Sequence, residues 1–193
     1  MVWRDIVSKK ELRNLQLQSL KLIDHIAFQQ KCFRIEQLLF ESPEWKKCKT
    51  VAVTISKPPE VNTWNIIKRG WEEGKTVVAP KCFPKNRELV FFELHDFHQL
   101  EQSYFDLYEP DPDKSTVLHN DAIELMIVPG LAYTDKGYRL GFGGGFYDRL
   151  LSSYSGLTMS LAFAEQMVDT LPIESFDIPV GMILTEKGRI DCD

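Results

Sequence analysis

The sequence predicts an α/β fold: one domain in three layers around a mainly parallel central sheet. Three observations point there. Short β-rich runs alternate with segments of helical period, the pattern of successive strand-helix units. Residues 123–128 are almost wholly apolar, as a strand covered on both faces must be. A glycine-dense stretch follows that strand and opens into a helix, an arrangement able to gather backbone N–H groups around an anion.

Each element follows from local signals. Residues 8–41 read as helix, because Leu12, Leu15, Leu20, Ile23, Ile26, Ile35, Leu38 and Leu39 recur at three- and four-residue spacings. Ser8 suits the N-cap and Glu11 completes a capping box. A break is expected within this stretch, and Pro43 ends it. Residues 50–55 (TVAVTI) form a strand, and the polar loop SKPPEVN leads to a helix over 63–73, with Gly74 at its C-terminus. Strands follow at 76–79, 88–93 and 123–128. A glycine loop spans 137–145 and a helix 146–153, and the last strands are 158–162 and 182–185. With no repeat, low-complexity stretch or linker, residues 1–193 form a single domain, Rossmann-like in arrangement.

Composition narrows the function. The chain has 193 residues, 44% hydrophobic and 26% charged, which excludes a disordered or coiled-coil protein. Its 23 basic and 28 acidic residues leave a formal charge of −5, a poor basis for nonspecific binding to nucleic acid or an anionic membrane. No apolar run reaches the roughly 20 residues that cross a bilayer, and the N-terminus has no apolar leader core. Cys32, Cys48, Cys82 and Cys192 are widely spaced without a CxxC pair, as free thiols of a reducing cytoplasm would be. A cytoplasmic monomer acting on small molecules is the expectation, with neither nucleic acid nor membrane as partner.

The chemistry concentrates in residues 135–149, DKGYRLGFGGGFYDR. Gly141, Gly143, Gly144 and Gly145 fall within five positions, with Gly144 expected at positive φ. Arg139 offers a forked cation for phosphate oxygens, and Asp148 a hard oxygen for Mg²⁺. The loop is not a Walker A motif, because no Gly-Lys-Ser/Thr follows, and it lacks the GxGxxG spacing. A tight turn without a ligand is the plain alternative. His95 and His98 suggest a metal, but no third ligand is near, and a surface pair is the simpler reading.

The stretch GYRLGFGGGFYDRLL resembles the GxRLGxGxGYYDR signature of the 5-formyltetrahydrofolate cyclo-ligase family. Weaker likenesses are collinear with it: Lys9-Lys-Glu-Leu-Arg13, Pro59-Glu60-Val61-Asn62-Thr63, Tyr108-Glu109-Pro110, Val128-Pro129-Gly130-Leu131-Ala132, Ala164-Glu165-Gln166, Leu171-Pro172, Phe176-Asp177 and Leu184-Thr185-Glu186. The resemblance implies an enzyme in which ATP phosphorylates the formyl oxygen of 5-formyltetrahydrofolate. N10 then attacks the activated carbon, and phosphate leaves to give 5,10-methenyltetrahydrofolate.

Carried over by position, the resemblance assigns ATP contacts to Lys9, Lys10, Arg13, Arg139, Leu140, Gly141, Phe142, Gly143, Gly144, Gly145, Phe146 and Tyr147. It assigns folate contacts to Arg13, Ile55, Glu60, Phe142 and Phe146, Mg²⁺ to Asp148 and Asp177, and catalytic roles to Arg139 and Glu60. A carboxylate such as Glu60 suits a pterin because it accepts two N–H bonds from an aminopyrimidine edge. Taken singly, Lys9 and Arg13 read more readily as a solvated helix face, Glu60 as a loop charge and Asp177 as a turn residue, and the collinear match reverses that reading. Asn62, Phe146 and Gly181 depart from the family pattern, and they touch the folate pocket more than the reaction. A non-catalytic nucleotide- or folate-binding module on the same fold is the competing reading, and a kinase or ligase for another formyl or carboxyl compound is a second.

Overall fold

A computed structural model describes residues 8–103 and 107–192. The long helical stretch divides into α1 (Lys9–Lys21) and α2 (His25–Glu41). The capping box at α1 is present, with Ser8 Oγ accepting from Glu11 N and Glu11 accepting from Ser8 N. The break has a local cause: Asp24 takes an extended conformation and its carboxylate accepts from the N–H groups of Ile26 and Ala27, starting a new helix. Pro43 ends α2 but does not end helicity. It occupies the first turn of a further short helix, α3 (Pro43–Lys47), because proline has no N–H to leave unsatisfied there and Ser42 before it is extended.

The remaining elements are β1 (Thr50–Ala52), α4 (Trp64–Glu72), β2 (Thr76–Phe83), β3 (Glu88–Glu93), β4 (Leu100–Gln102), β5 (Tyr108–Pro110), β6 (Val117–Leu118), β7 (Leu125–Ile127), β8 (Ala132–Tyr133), β9 (Arg139–Leu140), α5 (Phe146–Leu151), β10 (Leu157–Leu161), β11 (Met182–Thr185) and β12 (Gly188–Asp191). The main sheet has eight strands in the order β12-β11-β10-β7-β1-β2-β3-β6. The five from β11 to β2 are mutually parallel, and β12, β3 and β6 are antiparallel additions at the edges. Beyond the expected strands, β4 with β5 and β8 with β9 form small separate pairs. Arg139 and Leu140 therefore lie in a strand, and the glycine loop proper begins at Gly141.

Alternate residues of the central strands feed two cores. Leu125 and Ile127 pack with Ile35, Leu39, Trp45, Ile66 and Ile67 from α2, α3 and α4. Met126 and Val128 pack with Leu150 and Leu151 of α5 on the other face. That is the three-layer arrangement expected of a two-sided apolar run. A third cluster joins Leu12 of α1 to Ala132 and Leu140, which ties the N-terminal helix to the β8–β9 pair.

One buried group works against stability. Glu36 on α2 is buried, and its carboxylate accepts one bond from Asn65 Nδ2 at 3.2 Å. Burial pushes its pKa up and the Asn65 bond only partly offsets that. A raised carboxyl pKa means the folded state resists ionisation, so stability falls as pH rises through the carboxyl range. Glu36→Gln is therefore expected to raise Tm at pH 7.5. The gain should vanish near pH 4, where the carboxyl is protonated in both states, and thermal melts at the two pH values check it.

Candidate active site

The sheet reverses direction of travel between β1 and β7. From β1 the chain crosses through α4 to β2 on one side; from β7 it crosses through α5 to β10 on the other. At such a switch point the loops leaving the strand ends diverge and open a crevice. Here it is a cleft open to solvent, with Thr54, Ser56 and Glu60 on the β1 side and Pro129, Gly130 and Gln166 on the other.

The β1 loop is built to hold Glu60. Ser56 N donates to Thr63 Oγ1 and Thr63 N donates to Ser56 Oγ, both at 2.9 Å, while Thr63 Oγ1 donates to Thr54 O at 2.6 Å. These bonds close the loop at its base. Within it, Glu60 N donates to Lys57 O and Lys57 N donates to Glu60 Oε2, each at 3.0 Å. Burial pushes the Glu60 pKa up, against the Lys57 N–H bond that lowers it. Asn62 does here what an aspartate would do: its side-chain oxygen accepts from Trp64 N at 2.9 Å, a turn that leads into α4. Ile55 is buried in the main core behind the cleft rather than in its lining. Opposite, Gln166 Nε2 donates to Gly130 O and Leu131 O, and its Oε1 accepts from Phe163 N, which fixes the far wall.

The second half of the site is the loop Gly141–Gly145, in which Gly143 (φ 107) and Gly145 (φ 64) take the left-handed region. Gly144 does not; its requirement is space, because a Cβ there would lie 2.5 Å from the Phe146 ring. Side chains on Gly141 or Gly145 would meet nothing within 4 Å, so both face open space. Arg13 of α1 grips this loop, with Nε donating to Gly141 O at 2.8 Å and the guanidinium 3.4 Å from where a Gly143 Cβ would sit. Phe142 is exposed at the loop tip, and Leu140 is buried against Leu12. Lys10 is exposed on α1, about 100° round the helix from Lys9, and so lies off the face that carries Lys9 and Arg13.

Around the loop, cations and carboxylates are already matched. The Arg139 side chain is only 3% exposed; its Nη2 meets Asp148 Oδ1 at 3.0 Å and its Nη1 donates to Ile178 O at 2.7 Å. Lys9 Nζ lies 2.9 Å from Asp177 Oδ2 and 2.7 Å from Glu174 Oε2, which raises the Lys9 pKa against the lowering effect of its burial. The backbone links the two aspartates: Ile178, which follows Asp177 directly, makes a long 3.4 Å N–H contact to Asp148 Oδ1. They are hard oxygen donors of the kind Mg²⁺ takes. Among the described residues no cluster of three metal-ligating side chains exists, so a metal here would complete its shell with phosphate oxygens and water. Leu131, next to the cleft-lining Gly130, donates its N–H to Leu140 O at 2.8 Å, immediately before Gly141, so the cleft and the loop adjoin there.

Sequence reasoning singled out the loop, Glu60 and the two aspartates, but not Ser56, Thr63, the wall role of Gln166, or Glu174. His95 and His98 are exposed and pair with Glu93 and Asp96, as a surface pair should. Cys32, Cys48 and Cys82 carry thiols outside any disulfide, and among the described residues no helix is long and apolar enough to cross a membrane.

Residues 5–186 match the model of the 5-formyltetrahydrofolate cyclo-ligase family. A 5-formyltetrahydrofolate cyclo-ligase of Escherichia coli (strain K12) is 35% identical over 140 residues, 70% of this chain and 77% of its own. That of Haemophilus influenzae is 30% identical over 180 residues, 91% of this chain and 94% of its own. The solved 5,10-methenyltetrahydrofolate synthetase of Aquifex aeolicus superposes with a TM-score of 0.84 at 30% identity, covering 95% of this chain and 92% of that one. With its switch-point cleft, its glycine loop and a match running from residue 5 to residue 186, the chain belongs to the 5-formyltetrahydrofolate cyclo-ligase family.

Proposed function

We propose that the chain converts 5-formyltetrahydrofolate to 5,10-methenyltetrahydrofolate with ATP, releasing ADP and phosphate. The observation that carries this reading is the adjacency of two unlike half-sites. One is an open glycine loop gripped by a cation, suited to polyphosphate; the other is a cleft holding a half-buried carboxylate, suited to a pterin edge. The unbridged thiols of Cys32, Cys48 and Cys82 suit a reducing compartment such as the cytoplasm.

In this reading the triphosphate lies along Gly141–Gly145, with Arg13 and Lys9 on one side and Arg139 behind. Phe142 and Phe146 border the folate, and Glu60 takes its aminopyrimidine edge. The formyl oxygen attacks the γ-phosphorus and ADP leaves. N10 then bonds to the formyl carbon and loses its proton, and the C–O bond breaks with phosphate as the leaving group. Holding the folate against the γ-phosphate is the chief contribution of the protein, together with neutralising charge on the phosphates. Asp148 and Asp177 would hold Mg²⁺, which supplies charge neutralisation at the phosphate oxygens.

Glu60→Ala tests the placement. Loss of a charged hydrogen-bond partner in a desolvated pocket costs about 2 kcal/mol, roughly thirtyfold in affinity. Calorimetry should show that loss for 5-formyltetrahydrofolate, with MgATP affinity within twofold of wild type. Equal losses for both ligands would remove the pterin from this cleft.

A further inference from the structure

Three residues of the turn between Leu171 and Ile178 lie against Lys9. Glu174 and Asp177 both reach its ammonium, and the Phe176 ring lies 5.8 Å from it. The turn holds its own shape without that contact, because Glu174 N donates to Asp177 Oδ2 and Asp177 N donates to Glu174 O. Glu174 is thus not needed to fold the turn, and its carboxylate, 54% exposed, is free of any metal assignment.

The charges around the glycine loop explain what it does there. The three basic side chains are Lys9, Arg13 and Arg139; facing Lys9 and Arg139 are Glu174, Asp177 and Asp148. Three positive and three negative charges leave no net attraction for a triphosphate. Lys9 alone faces two carboxylates, so its immediate surroundings are net negative.

We propose that Glu174 is a charge gate on Lys9 that makes nucleotide binding depend on the divalent cation. The proposal rests on the placement of the phosphates beside Lys9 in the function proposed above. Without the cation, a nucleotide must compete with two carboxylates for one ammonium. With it, Asp177 and Asp148 acquire a positive partner, Arg139 is released toward phosphate, and Lys9 faces one carboxylate, Glu174, in place of two. Cation and nucleotide then strengthen each other's binding, and the coupling is reciprocal. Glu174 is the part of the gate outside the proposed metal ligands, so its charge is removable without removing a ligand.

The sign of the expected effect is unusual for a substitution at a binding site. By calorimetry in EDTA at low ionic strength, Glu174→Gln should bind ATP about threefold more tightly than wild type, the scale of one partly exposed ion pair. With excess Mg²⁺ the two proteins should agree within twofold. The gain should fade at 0.5 M salt, as screening removes the competition (a Debye length of about 4 Å). A purely structural role for Glu174 would instead weaken binding in both conditions and lower Tm.

Lys9→Met separates the two claims. If it leaves MgATP affinity unchanged, the phosphates do not lie beside Lys9 and the placement fails. If it weakens MgATP binding but Glu174→Gln brings no gain in EDTA, the placement stands and the gate is overturned. The gate is also overturned if the Glu174→Gln gain persists in the Lys9→Met background, because Glu174 would then act on the nucleotide directly.

Discussion

Gly143→Val should lower MgATP affinity at least tenfold while leaving Tm within a few degrees of wild type. Gly143 holds φ at 107°, where a β-branched residue is strongly disfavoured. Its new side chain would also press on the Arg13 guanidinium, 3.4 Å from the Cβ position. The loop must leave its path and release the Arg13–Gly141 bond, but it is exposed and carries little of the core. Gly141→Ala is the companion measurement. Its Cβ meets nothing in the free protein, so an effect on nucleotide binding reports the nucleotide itself occupying that space. Wild-type ATP affinity in both variants would reduce the loop to a turn.

Asp148→Asn should lose both turnover and stability, and the two losses should respond differently to Mg²⁺. Asp148 is the charged partner of Arg139, whose side chain is almost fully enclosed. Asparagine keeps the size and one acceptor but leaves that guanidinium without a counter-charge. We expect a cost of about 2 kcal/mol, or about 5 °C in Tm. Turnover at limiting Mg²⁺ should fall at least a hundredfold, since the metal would lose one of its two carboxylates. Raising Mg²⁺ should restore part of the turnover and none of the Tm of the nucleotide-free protein. Asp177→Asn should show the same partial rescue with a smaller Tm change, because Lys9 is more exposed and keeps Glu174. If added Mg²⁺ rescues neither variant, Asp148 is only the counter-ion of Arg139.

Stability in the Asp148 variant is a point on which sequence and structure part. Read from the motif alone, Asp148 is a metal ligand whose neutralisation spares the fold. The structure places a buried arginine against it. The same holds at Gly144, where spacing suggests a positive φ and the fold demands room for the Phe146 ring.

Local chemistry decided much of the fold before any tertiary contact. The Ser8–Glu11 box, the two-sided apolar pattern of residues 123–128 and the strand at Met182–Thr185 are legible because each is fixed by neighbours a few residues away. So is the glycine loop, whose composition has few other uses. Pro43 shows the limit: its ring disfavours helix at Ser42, yet the Ser42 Oγ cap on Trp45 N, together with the packing of Trp45 into the core, starts a new helix at once. The two- and three-residue strands β4, β5, β6, β8 and β9 are too short for a period to register, and they exist because a partner strand is there to pair with. The site divides along the same line. Sequence named Glu60, Arg139, Asp148 and Asp177 as bearers of chemistry, one residue at a time. Which charges face one another was decided by the fold, since Lys9 and Asp177 are 168 positions apart and Arg13 and Gly141 are 128. Electrostatic partnership depends on distance in space, and no pattern along the chain encodes it.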